Sequence, residues 1–104
     1  MMLKNEQLHP TVLWAQRKNS LYVTIALTDV KDKKLELKED CLIFSGRSGV
    51  TKLQDYAVTL NFYSAVDAEK LHQYSTDREI VLLIFKKTEE FWPRLLSELT
   101  KYSW

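Results

Sequence analysis

A chain of 104 residues has the length of a single domain and can bury one core. Hydrophobic residues make up 45% and charged residues 28%, which excludes a disordered chain, and two glycines with two prolines leave little room for linkers. Fifteen basic residues stand against fourteen acidic ones, a net charge of +1, so no bulk field recruits nucleic acid or an anionic membrane.

Cys41 is alone, which rules out an intrachain disulfide and a cysteine metal cluster. Its neighbours Leu42-Ile43-Phe44 make it a small buried hydrophobe rather than a reactive thiol. No charged segment leads into an apolar leader-like run, and no long apolar span occurs. A reduced, cytoplasmic setting is the resulting expectation.

Residues 1–9 are polar and irregular and are expected to fray as a flexible N-terminus. Pro10 to Gln16 reads as the first strand, with Val12 and Trp14 on one face and Trp14 in the core. Arg17 to Ser20 is a turn. Leu21, Val23, Ile25 and Leu27 alternate with Tyr22, Thr24, Ala26 and Thr28, the period of a half-buried strand. A polar link, Asp29 to Lys33, leads to a short strand over Lys34 to Lys38, and Glu39-Asp40 turns the chain into Cys41 to Ser45. This last run is an edge-strand candidate, and nothing in the sequence decides whether two chains pair along it. Gly46-Arg47-Ser48-Gly49 reads as a hairpin loop; no Gly-Lys-Ser/Thr follows that would make it a phosphate cradle. Tyr56, Val58, Leu60 and Phe62 alternate through a strand from Lys52 to Phe62. Asp67 to Tyr74 has helical character, with Asp67 as a cap. Glu79 to Lys87 is apolar on both faces, as in a central strand covered on both sides.

Short strands with polar turns and apolar faces that cannot be left in water define an all-β fold. The expected architecture is a two-sheet antiparallel β-sandwich of about seven strands filling residues 10–104.

The sequence offers no catalytic equipment. His9 and His72 have no His or Cys partner at metal-ligand spacing, and Glu39-Asp40 and Glu89-Glu90 lie in turns. No catalytic residue, metal site or cofactor is expected, and the chain reads as a binding module rather than an enzyme. The β pattern breaks at Trp92-Pro93-Arg94-Leu95. The thirteen residues from there to Trp104 hold two of the three tryptophans. Large aromatics beside cations at this position form either a strap across the core or a recognition surface.

Trp-Pro-Arg-Leu, a Lys seven residues after the Arg, and a Trp three further on resemble the signature of the twenty-three-kilodalton co-chaperone of heat-shock protein 90. That family is also known as cytosolic prostaglandin E synthase, and its fold is the CS domain. Trp14-Ala15-Gln16-Arg17, Thr76-Asp77-Arg78 and Lys86-Lys87 extend the resemblance over 10–104. It implies a co-chaperone that docks on the ATP-bound closed dimer of the heat-shock protein 90 N-terminal domains. Docking there slows ATP hydrolysis and acts on client proteins indirectly. The contacts it implies are Arg17, Lys86, Lys87, Trp92, Pro93, Arg94, Leu95, Lys101 and Trp104. Lys86, Lys87, Arg94 and Lys101 would supply rim charge and Trp104 an aromatic anchor. Trp92 and Leu95 either strap the sandwich or touch the partner. The chain is expected to be a monomer, with no nucleic-acid or membrane partner.

Three departures qualify the resemblance. The Tyr to which prostaglandin synthesis is assigned is Ala15 here, so that activity is not carried over. A frequent Lys after the motif is Ser97. The family continues beyond the position of Trp104 into a long acidic tail, so an excised domain or a short form is expected. The runner-up is an adaptor-type CS domain: a nuclear distribution protein C relative, a ubiquitin-ligase adaptor, or one excised from an acyl-CoA dehydratase.

Overall fold

The computed structural model describes residues 8–49 and 52–97. Seven antiparallel strands form two sheets, as the alternation predicts. They are β1 (Thr11–Gln16), β2 (Ser20–Ala26), β3 (Lys31–Leu37), β4 (Cys41–Ser48), β5 (Gln54–Asn61), β6 (Val66–Ser75) and β7 (Ile80–Lys86). One sheet has the order β1-β2-β7-β6 and the other β3-β4-β5.

The apolar parity of each strand decides which face is buried. Leu21, Val23 and Ile25 of β2 and Ile80, Leu82 and Ile84 of β7 meet Leu42 and Phe44 of β4 and Val58 and Leu60 of β5 in one core. Cys41 is buried at the start of β4 with its thiol free, and burial pushes that thiol's pKa up. Trp14 is half-buried against the same cluster. β7 lies between β2 and β6, fully buried on its inner face and half-buried on the other.

Four expectations are corrected. The stretch from Asp67 is not helical; it belongs to β6. The cap-like hydrogen bond does form, Glu69 N–H donating to Asp67 Oδ1 at 3.0 Å, but it sits within the register shift between Val66 and Leu71. An Asx turn inside a strand has the same local sequence as a helix start. Gly46-Arg47-Ser48 is not loop, because β4 continues through Ser48. Gly46 is glycine for space: a Cβ there would lie 2.6 Å from Val30 Cγ1. β4 is not an edge, since β3 and β5 flank it. Of the expected flexible N-terminus, residues 1–7 lie outside the described residues, while Leu8 is held in place. Its N–H donates to Asp55 O at 3.0 Å, and its carbonyl accepts from Ala57 N–H at 2.9 Å, a parallel bridge to β5.

The β3 lysines also begin earlier than expected, at Lys31. Asp29 and Asp32 take left-handed backbone angles, φ 45° and 54°, and the register of β3 on β4 shifts between Lys31 and Lys34. Asp tolerates that conformation better than most residues.

Candidate docking surface

One end of the sandwich gathers the β1–β2 turn, the end of β7 and the segment that follows it. Strand parity explains how. Val12 and Trp14 face the core, so Gln16, two residues on, points inward at the end of β1. Ile80, Leu82 and Ile84 face the core, so Lys86 points inward at the end of β7, while Lys87 turns out.

Lys86 is 7% exposed. Its ammonium donates to Gln16 Oε1 at 2.9 Å, Arg17 O at 2.8 Å and Glu90 O at 2.5 Å, which uses all three donors. The nitrogen also lies 5.5 Å from the ring centres of both Phe91 and Trp92. Burial lowers its pKa below the ordinary lysine value, with the Glu90 charge opposing the shift. The expectation of a rim charge at Lys86 therefore does not match its geometry: the ammonium is turned inward and fully satisfied within the chain.

Gln16 completes this clasp. Its Oε1 accepts from Trp92 N–H at 2.9 Å as well as from Lys86, and its Nε2 donates to Trp92 O at 2.9 Å. A side-chain amide thus pairs with the Trp92 backbone as a neighbouring strand would.

Trp92 and Leu95 are strap residues, 3% and 4% exposed. The indole packs against Phe62 and Tyr63, with ring centres 6.0 and 5.8 Å away. Among the described residues its Nε1–H is buried without a hydrogen-bond partner, a burden of about 1–3 kcal/mol that the packing must exceed. The strap is fastened to the turn beyond β5 by Tyr63 N–H to Leu95 O (2.9 Å) and Ser97 N–H to Asn61 O (2.8 Å).

Between the two buried side chains, Pro93 and Arg94 are exposed. The Arg94 guanidinium lies 5.3 Å from the Tyr63 ring centre and donates to Leu96 O (2.9 Å) and Ser97 O (2.8 Å). Lys87 pairs with Glu39 at 2.8 Å, both half exposed, and that hydrogen bond raises the lysine's pKa. Arg17 is exposed, 6.0 Å from the Tyr22 ring centre. Among the described residues neither arginine of this end has a carboxylate partner. Lys101 and Trp104 lie outside the described residues.

The structure thus brings seven of the expected contacts to one end, two of them as strap and one as internal clasp. Gln16, Phe91, Tyr63 and Glu39 were not among those expected. Among the described residues no group of three His, Cys, Asp or Glu is placed to hold a metal.

No family profile matches the sequence. Protein wos2 of Schizosaccharomyces pombe is 38% identical over 91% of this chain and 55% of its own length. Co-chaperone protein daf-41 of Caenorhabditis elegans is 38% identical over 91% of this chain and 53% of its own length. Co-chaperone protein p23-1 of Brassica napus is 38% identical over 84% and 49%. The chain belongs to the co-chaperone p23 family. It spans about half the length of these curated relatives. A very-long-chain (3R)-3-hydroxyacyl-CoA dehydratase of Danio rerio is 32% identical over 90% of the chain but only 26% of that protein. Among solved structures, heat shock protein 16.0 from S. pombe superposes with a TM-score of 0.70 at 13% identity, covering 89% of this chain and all of that one. That likeness shows the β-sandwich and nothing finer.

Proposed function

We infer that this p23-family domain is a co-chaperone module that docks on the ATP-bound closed N-terminal dimer of heat-shock protein 90, slows ATP hydrolysis there and prolongs client complexes. The observation that carries the reading is the convergence of Arg17, Lys87, Pro93 and Arg94 on one end, presented by a buried strap. Arg17 and Arg94 supply charge with no carboxylate partner among the described residues, which steers a partner and tunes specificity. Trp92, Leu95 and Lys86 act from beneath by fixing the strap. Lys101 and Trp104, outside the described residues, join the proposed contacts on the family resemblance alone. A partner that binds only the closed state shifts the dimer toward it by its differential affinity. The module works as a monomer in the cytoplasm, as a binder rather than a catalyst.

The test is titration onto purified heat-shock protein 90 with a non-hydrolysable ATP analogue and, separately, with ADP. Arg94→Ala and Lys101→Ala are run alongside. Binding confined to the ATP-like state and weakened by both substitutions is the expected result. Equal binding in both states favours the second reading, an adaptor-type domain, for which the dehydratase likeness speaks. Absence of binding refutes docking on heat-shock protein 90 by this stretch of chain.

A further inference from the structure

We propose that Phe91 is a preorganised apolar anchor of this docking surface, held outward by the Gln16–Lys86 clasp. The inference rests on the co-chaperone reading and adds a contact to it. Phe91 is 65% exposed, while the residue after it is almost fully buried. A large ring kept mostly in water returns little to the fold that keeps it there.

The backbone leaves the ring little choice of position. Glu90 N–H donates to Lys18 O at 3.0 Å, and Glu90 O accepts from the Lys86 ammonium. Trp92 N–H and Trp92 O are both paired with the Gln16 amide. The main-chain polar groups of both neighbours of Phe91 are thus tied down. The ring is steadied further by the Lys86 cation 5.5 Å from its centre. An aromatic already ordered in the free protein loses little entropy on binding, which is how a single side chain comes to dominate an interface.

The surroundings state the chemistry of the partner. Glu90 is pinned to the turn that carries Arg17 and Lys18, and Arg94 follows Phe91 by three residues. The two arginines lack carboxylate partners among the described residues. The matching surface is an apolar socket for one ring on the closed nucleotide-bound chaperone dimer, with carboxylates placed to meet Arg17 and Arg94 and away from the exposed Glu89 and Glu90 beside the ring.

Binding kinetics on purified heat-shock protein 90 with the non-hydrolysable ATP analogue test this, using wild type, Phe91→Ala, Phe91→Leu and Arg94→Ala. Phe91→Ala is expected to weaken binding about tenfold or more, through faster dissociation. Phe91→Leu recovers most of the loss, and the thermal midpoint stays at the wild-type value because the ring is exposed. Arg94→Ala instead slows association and reduces its salt dependence. Wild-type affinity in Phe91→Ala, with Arg94→Ala weakened, overturns the anchor and leaves the docking reading standing. Weak binding with a lowered thermal midpoint makes the ring structural and also overturns it. No wild-type binding in either nucleotide state overturns the docking reading and the anchor with it.

Discussion

Gln16→Ala is the substitution that most directly probes how the strap is held. It deletes a charge-assisted hydrogen bond from Lys86 and two bonds to the Trp92 backbone, all at 2.9 Å. Neutral hydrogen bonds contribute about 0.5–1.5 kcal/mol each and charged ones about 1.5–3. The site is half-buried, so water replaces part of what is lost. The expected destabilisation is about 3 kcal/mol, a large share of a small domain's stability. For a chain of this size that lowers the thermal midpoint by about 12 °C or more. Thermal and urea denaturation followed by tryptophan fluorescence measure it, since Trp92 is the reporter most affected. Gln16→Glu is the comparison: it keeps an oxygen that accepts from Lys86 and Trp92 N–H but sets its other carboxylate oxygen against Trp92 O, so it recovers only part of the stability. A Gln16→Ala protein within about 1 kcal/mol of wild type would refute the idea that this amide fastens the strap.

Two predictions concern titration. Burial, aided by the hydrogen bond to Asp40 and its charge, raises the Cys41 pKa, so the thiolate is disfavoured in the fold. That contribution to stability is complete below the unfolded thiol's value of about 8.5 and is lost as pH rises through the higher folded one. Thiol labelling of the native protein at pH 8 should be slow and should accelerate only with unfolding; labelling at the rate of a free cysteine would contradict the burial. Lys86 runs in the other direction. Its folded pKa is lowered, so between that value and the unfolded lysine's, about 10.4, the unfolded state binds more protons and stability rises with pH. Urea midpoints of wild type measured against Lys86→Met from pH 8 to 10.5 should move in favour of wild type, and a difference that stays flat or falls would show that burial does not govern this lysine.

Much of the fold is legible in the sequence because period two survives without an alignment. Leu21, Val23, Ile25, Val58 and Leu60 all face inward as their spacing predicts, while Ile80, Leu82 and Ile84 belong to a run apolar on both faces, whose parity shows in the structure. The misreadings occur where a local motif fits two structures. Asp67 makes the same side-chain hydrogen bond in a strand bulge as at a helix start, and Gly46 serves close packing where glycine more often marks a turn. At the docking end the composition of Lys86-Lys87 misleads, while its parity does not: continuing the alternation past Ile84 sends one lysine in and the other out. The same count from Val12 and Trp14 leads to Gln16. Phe91 carries no such signal, because its exposure is set by hydrogen bonds at Glu90 and Trp92 that no pattern in the chain announces.

The seating of Leu8 on β5 has a consequence for the protein's company with itself. A sheet grows by adding strands to an open edge, and the three-stranded sheet has both of its edges obstructed. On the β5 side the place of a newcomer near Tyr56 is already taken by the chain's own Leu8. On the β3 side a newcomer meets Lys31, Lys33 and Lys34 along a strand whose register is broken. Both edges of the three-stranded sheet are thereby kept from templating fibres.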